Sequence, residues 1–564
     1  MKLNDIWGYG QLFGFSAIDG VNSRSDDFVA VTATEKIKLQ FELEKRICLY
    51  FPVPEAVFDF VTSDVIHSEK NGFLLAYESA DVLIGYSPVL PVFSGEDELR
   101  ESKTGDISVY DDGINFIAAA IEKSGDSFFF RIARARSAKK AAEKAGRAPS
   151  AAEADALMKK RLTYYEKLPP CKDEKYEKLY YKALSVQKVN VYSPEGNIPV
   201  TWTTPDRVPH KNMWLWDSVF HALALACYDG KLAESAIKAV LSQAREDGFI
   251  PHMASPDSAS EITQPQVLAF GAWEVYRKTG DKQFLRDCAP VIEKFLLWTA
   301  ENRDENGNGL LEWHTDRSNA RCRCDESGMD NSPRFDFDSP LDAVDFSTFL
   351  CNDCKYLSYI YKELGDFKKF VEWAQKAVSL SQKINELMWD EQTGAYYDRL
   401  TDGSLTKVLT QASFLPLFAG ICSSEDTKRL VATLTDENLL WTPFPLSSVA
   451  KTHPSYSTDM WRGGAWLNYN YLIARGLTDY GYCDVAERLR NKTLQAVNEW
   501  YEKTGSIFEF YDPENKTSPF ECERKGPPVS PPDWRKHMHS ISDYNWSACF
   551  TMLFIQREYY SDKK

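Results

Sequence analysis

The chain has 564 residues, of which 43% are hydrophobic and 26% charged, with a formal net charge of -16. At ~100–200 residues per domain this length asks for two to four domains, and the composition excludes a single small module and long disorder. The acidic balance gives no electrostatic footprint for phosphate backbones or anionic lipid, so neither nucleic acid nor membrane is expected as a partner.

No window reaches the ~18 apolar residues of a membrane helix, and MKLNDIWGYGQLFGF lacks a basic segment leading into an apolar one. A cytoplasmic protein is expected. The 12 cysteines are scattered without the dense spacing of a secreted scaffold, which implies reduced, buried thiols. Aromatic residues reach 13%, with 15 Trp. Many stand beside Asp, Arg or Gly rather than in apolar runs, a pattern that suits flat rings stacking on a sugar.

From Gly14 to about Ala133 the chain reads as short β-branched and aromatic strands, among them Asp27 to Thr32, Ile37 to Leu43, Gly72 to Tyr77, Val82 to Tyr86, Asn115 to Ala120 and Ser127 to Ile132. Many short strands without long helices between them predict an antiparallel β-sandwich over residues 1–133. Residues 134–171, rich in Ala, Lys, Arg and Glu, read as a helical linker. Over residues 172–564 the period is helical, with about twelve segments joined by Gly-, Pro- and aromatic-rich loops. Twelve helices without a solenoid repeat predict a closed all-α toroid of six hairpins. The long loops Arg303 to Pro340 and Gly505 to Asp543 hold the densest polar and aromatic clusters, so function is sought there.

Four clusters carry candidate chemistry. In NMWLWDSVFHALAL, Trp214, Trp216 and Asp217 precede an apolar run, with Asp217 or Ser218 placed to begin a helix. CDESGMDNSPRFD packs Asp325, Glu326, Asp330, Arg334 and Asp336 around Gly328 and Pro333, a loop too charged to be buried without purpose. In YSTDMWRGGAWLNYN, Arg462 precedes two glycines and lies between Trp461 and Trp466. In SIFEFYDPENKTSPF, Glu509 sits between two phenylalanines, where desolvation raises a carboxylate pKa unless donors hold it.

In this order WLWDS (Trp214 to Ser218), ESGMDNSPR (Glu326 to Arg334), WRGGAW (Trp461 to Trp466) and FEFYDP (Phe508 to Pro513), with WSA at Trp546 to Ala548, resemble the clan of inverting glycoside hydrolases built on an (α/α)6 barrel. That clan contains trehalases, processing α-glucosidases (family 63) and mannosylglycerate and glucosylglycerate hydrolases. The likeness covers about residues 172–560. It implies Asp330 as general acid and Glu509 as general base. It also implies a sugar-binding wall of Trp214, Trp216, Asp217, Gln264, Asn331, Arg334, Trp461, Arg462, Gly463, Trp466 and Trp546. The chain departs from the clan in reading WRGGAW for WRGPVW and in having Asn515 and Lys516 where a Thr-Gly is usual.

The residue types agree with this chemistry on their own terms. Inverting hydrolysis needs one protonated and one ionised carboxyl ~6.5–9.5 Å apart across the ring. The short span from Asp217 to Asp330 leaves no room for a large inserted subdomain, which favours an exo-acting pocket for a small oligosaccharide or glycoside. A phosphorylase on a similar barrel and a non-catalytic carbohydrate-binding protein are the competing readings. An acidic aglycone such as glycerate would call on a basic or hydroxyl-rich neighbour such as His252 or Lys211, and the loop Thr517 to Asp543 is a candidate to close over the pocket.

No cofactor is expected to be required. DENGNG spaces Asp304, Asn306 and Asn308 like the start of a calcium loop, but position twelve is Thr315 instead of Glu, and an Asn/Gly turn is the plainer reading. Cys322, Cys324, Cys351 and Cys354 form C-x-C and C-x-x-C pairs, but Cys351 and Cys354 fall on an apolar helix, so burial is expected rather than zinc.

Overall fold

The computed structural model describes residues 7–560 apart from 9, 34–36, 42–46, 96–98, 320, 338 and 527–538. The N-terminal part holds two antiparallel sheets. One runs Leu12–Phe13, Ala30–Ala33, Ile37–Phe41, Ile47–Phe51, Val92–Gly95 in spatial order. The other runs Arg100–Thr104, Ile107–Asp111, Phe116–Ser124, Ser127–Ala135, Val82–Ser87, Phe73–Ser79, Val65–Ser68, Phe60–Val61. Alternate residues point inward, so Leu39, Leu49 and Phe51 of the first pack with Leu75, Leu83, Phe130 and Ile132 of the second in one core.

The segment expected to be a linker forms two helices, Ala138–Ala145 and Ala151–Glu166, the second begun by a capping box of Ser150 and Glu153. Their small faces cover the outer side of the larger sheet: Ala141, Ala142, Ala145 and Ala154 pack with Leu74, Ile84, Ala118 and Ala133. The stretch is therefore part of the β-region's packing as well as its connection to the helices.

Twelve α-helices follow among the described residues. Six of them are in contact in succession: Leu215–Leu225, Leu268–Thr279, Val344–Leu364, Leu415–Ala419, Leu467–Asp479 and Asn545–Ile555, the last packing back on the first. Glu177–Val189, Gly230–Leu241, Lys282–Asn302, Phe367–Met388 and Cys483–Thr504 each pack on one or two members of that succession. Sequence explains the division. Every residue of Leu215–Leu225 and Asn545–Ile555 is buried, whereas Phe367–Met388 buries only a stripe of Trp373, Ala377, Leu380, Ile384 and Met388.

Buried ion pairs fasten the sheets to the helices. Arg207 pairs with Asp27 and donates to the carbonyls of Phe15 at 2.8 Å and Val189 at 3.0 Å. Lys188 lies 2.8 Å from Asp19 and 2.6 Å from Asp64. Removing one partner of such a pair strands a buried charge, which costs far more than the intact pair contributes. No helix among the described residues is long and apolar enough to cross a membrane.

Candidate active site

The starts of three of these buried helices converge on one cavity. Trp214, Trp216 and Asp217 reach it from the start of Leu215–Leu225, Trp466 from the residue before Leu467–Asp479, and Tyr544 and Trp546 from the start of Asn545–Ile555. Gln264, Trp461, Asp330 and Glu509 enter from loops, with His210, Asp325, Gly328, Met460, Arg524 and Lys525. The helix begins at Leu215, so Asp217 lies within its first turn rather than capping it.

The indoles form the walls. Trp461 stacks on Trp466 with centroids 3.8 Å apart and planes 1° from parallel, and Trp546 stands edge-on to Trp466 at 5.7 Å and to Trp216 at 5.3 Å. Gly328 has a φ of +69°, and a Cβ there would run into the indole of Trp216, so this turn of ESGMD needs glycine.

Asp330 is placed by its neighbours. Glu326 is fully buried and accepts from Thr263 N at 3.1 Å, His314 N at 2.8 Å and Arg303 Nη2 at 2.6 Å, tying three segments together. At the other end of the motif Arg334 is clamped by Asp345 at 2.6 Å and Asp398 at 2.7 Å. Glu509 rides on a segment whose N–H donates to Ile541 O at 2.8 Å, while its own carbonyl accepts from Ser547 Oγ at 3.2 Å.

Both carboxylates are ion-paired, and by consecutive residues. Arg524 donates Nε to Glu509 Oε2 at 2.9 Å and Nη2 to Oε1 at 3.1 Å. Lys525 Nζ lies 2.6 Å from Asp330 Oδ2, 3.3 Å from Cys322 Sγ and 3.7 Å from Asp325 Oδ1. Burial works to discharge Lys525, but Asp330 and its neighbours more than offset this and hold the ammonium above its ordinary range. The space left is about 70 Å³. That is room for roughly two waters at ~30 Å³ each.

Asp217 is the most deeply placed of the remaining acids, Asp325 being exposed. It is 2% exposed, and its Oδ1 has no hydrogen-bond partner among the described residues. Burial pushes its pKa well above the usual aspartate value, and the charges of Glu509, Asp206 and Asp330 add to the rise.

Four residues expected on the sugar wall are elsewhere. Arg334 is fully buried, and Asp345 and Asp398 take up its guanidinium, so it braces the loop instead of facing the cavity. Arg462 points outward to Asp336 at 2.7 Å. Gly463, at φ +156°, passes so close to the Ser457 carbonyl that a side chain cannot fit. Asn331 lies behind the wall, its Oδ1 accepting from Trp461 N at 3.0 Å. His252 is buried beside Trp214 with its ring edge-on, and neither it nor Lys211 lines the cavity. A larger depression of about 570 Å³, lined by Tyr397, Lys407 and His453 among others, holds the single carboxylate Asp436 and no tryptophan.

Residues 210–547 match the family of the mannosylglycerate hydrolase MGH1-like glycoside hydrolase domain. The chain belongs to this glycoside hydrolase family. Mannosylglycerate hydrolase MGH1 of Selaginella moellendorffii is 26% identical over 395 residues, spanning 55% of this chain and 78% of that one. An uncharacterised protein of Borreliella burgdorferi is 25% identical over 253 residues, and the match spans 51% of its length. The crystal structure of a GH63 mannosylglycerate hydrolase from Thermus thermophilus in complex with glucose aligns with a TM-score of 0.54 at 23% identity. It covers 67% of this chain and 100% of that one, which shows a shared fold.

Membership of an MGH1-like family places the chain among O-glycosyl hydrolases. Sequence reasoning missed His210, Tyr544, Arg524 and Lys525 at this glycoside hydrolase's cavity. The basic pair sits in CERKGPP, where charge density alone does not separate a pocket cation from a solvated one. Residues 527–538 of the loop expected to close over the pocket lie outside the described residues.

The DENGNG turn closes on its own backbone, with Gly309 N donating to Asp304 Oδ2 at 2.9 Å and Leu310 N to Asn308 Oδ1 at 2.7 Å. Two carboxylates that sequence reasoning passed over meet it. Asn306 Nδ2 bonds Glu312, and Asn308 Nδ2 bonds Asp342 Oδ2 at 2.8 Å. Asp304 Oδ1 is buried without a hydrogen-bond partner among the described residues. Among the described residues Asp304, Glu312 and Asp342 do not bring three ligand atoms together, and amide groups already occupy Glu312 and Asp342.

Proposed function

We propose that the chain removes a terminal α-linked glucose or mannose from a short glycoside with inversion, Asp330 acting as general acid and Glu509 as general base. The observation that carries this reading is the convergence of both carboxylates, from loops about 180 residues apart in sequence, on one tryptophan-walled cavity. In this account the sugar ring stacks among Trp216, Trp461, Trp466 and Trp546, with Asp217 and Gln264 accepting and donating to its hydroxyls. Asp330 protonates the departing oxygen while Glu509 takes a proton from the attacking water, so the C–O bond breaks on one face as the new one forms on the other.

The described arrangement is the resting one. Lys525 lies 2.6 Å from Asp330, Arg524 covers Glu509, and the remaining 70 Å³ falls short of the ~300 Å³ at which ligand sites begin. In this account the basic pair withdraws as the sugar enters.

The succession of packed helices supports an (α/α)6 barrel as the catalytic domain over residues 172–564, joined through residues 134–171 to the β-sandwich of residues 1–133. The scattered spacing of the 12 cysteines supports a reducing, cytoplasmic location. The test is substitution: Glu509→Gln and Asp330→Asn each lower kcat on the preferred substrate by ~10²–10⁴-fold while the protein stays folded. Near wild-type turnover by Glu509→Gln overturns the assignment.

A further inference from the structure

Resting on that reading, we propose that His210 is a third catalytic residue, which holds the attacking water together with Glu509, and that Arg524 occupies the water's place in the resting state. One guanidinium nitrogen, Arg524 Nη2, lies 3.1 Å from Glu509 Oε1 and 3.1 Å from His210 Nε2. A nitrogen donor and a water oxygen keep nearly the same hydrogen-bond distances, so the point it fills is one from which a water reaches both groups.

The imidazole is built for this task. Arginine has only donors, so His210 Nε2 must accept, which puts the ring proton on Nδ1. There it faces Asp206 Oδ2 at 2.6 Å, and Asp206 is fully buried. The same aspartate accepts from His210 N at 3.2 Å, fixing backbone and ring together. The Nε2 lone pair is thereby aimed into a cavity that also holds Asp217, Asp330 and Glu509. A water takes this point only when Arg524 leaves it, and that departure uncovers the carboxylate oxygen and the imidazole nitrogen at the same time.

A water bound between them gives one proton to Glu509 and hydrogen-bonds the other to Nε2, which leaves a lone pair for the anomeric carbon. As the C–O bond to the leaving group breaks and takes the Asp330 proton, the water oxygen bonds to carbon. His210 begins and ends the cycle with the same protonation and acts by orientation.

The test uses the full chain and two probes, α-D-glucosyl fluoride and α-D-mannosyl fluoride, whose fluoride leaves without acid assistance, so that only the water half of the reaction is read. On whichever fluoride the wild type turns over, His210→Ala lowers kcat roughly 10- to 100-fold with KM within about twofold. His210→Gln, which keeps an acceptor, recovers part of the loss. Unchanged melting temperatures separate this from misfolding. If Glu509→Gln is inactive on the fluoride while His210→Ala stays within threefold of wild type, the role of His210 is overturned and the two-carboxylate reading stands. If Glu509→Gln is active, or the wild type releases fluoride from neither probe, the reading beneath it falls as well.

Discussion

Arg524 meets Glu509 with two hydrogen bonds, of 2.9 and 3.1 Å, one to each carboxylate oxygen. The pair is nearly sealed, with side chains 9% and 3% exposed. Forked arginine–carboxylate pairs of this kind are strong and directional. In the proposed cycle, parting them is a cost that each entering sugar has to meet. Arg524→Leu therefore lowers stability to urea by about 3–5 kcal/mol, because it strands a buried carboxylate. It also tightens the binding of free glucose or mannose about tenfold, read by calorimetry. Weaker sugar binding by this variant contradicts the resting-state account.

Asp217 makes a prediction with a definite sign in pH. Its folded-state pKa is raised by burial, so the native protein keeps a proton that the unfolded chain has already lost. Stability then falls as pH rises above the ordinary aspartate value of ~3.9. Asp217→Asn removes that penalty. Its melting temperature relative to wild type rises steadily from pH 4 to pH 7.5, although sugar binding is lost. A difference independent of pH places the carboxylate in a more polar setting than the structure has.

The Asp304 turn is held by its own hydrogen bonds, so millimolar calcium added to chelator-treated protein leaves the melting temperature unchanged. A rise of several degrees, as expected of a ligand held well above its Kd, overturns the reading of this loop as an Asn/Gly turn.

The β-region reaches the segment of Glu509 through Asp543. Its Oδ2 accepts from Leu12 N at 2.9 Å and Lys182 Nζ at 2.8 Å, and its Oδ1 from Ile507 N at 3.4 Å, two residues before Glu509. Asp543→Ala costs about 3–5 kcal/mol of stability. At a temperature where it remains folded, it lowers kcat more than it changes KM. Unaltered kcat in the folded variant shows that the N-terminal sheets do not position the base.

The helical part was the more legible in sequence because each helix carries its own signal. The stripe from Trp373 to Met388 and the apolar run after Trp214 declare one-sided and complete burial without reference to anything distant. Strands show less: Arg100–Thr104 reads RESKT and is exposed throughout, so no alternation marks it, and Leu12–Phe13 is too short to show any. Motifs located the cavity through Trp216, Asp330 and Glu509 but did not sort pocket groups from braces. Arg334 is a brace because Asp345 and Asp398, 11 and 64 residues away, capture it. Arg524 belongs to the pocket because Glu509 and His210 capture it. Both outcomes depend on long-range partners that local composition does not display.

The central claim is inversion by Asp330 and Glu509, and the most direct measurement is proton NMR of the sugar released from α-glucosides, α-mannosides, trehalose and glycosylglycerates before it mutarotates. The account predicts that the β-anomer appears first from one α-linked substrate, with Glu509→Gln releasing none. Initial release of the α-anomer contradicts it, as does release of no sugar from any of them until phosphate is added.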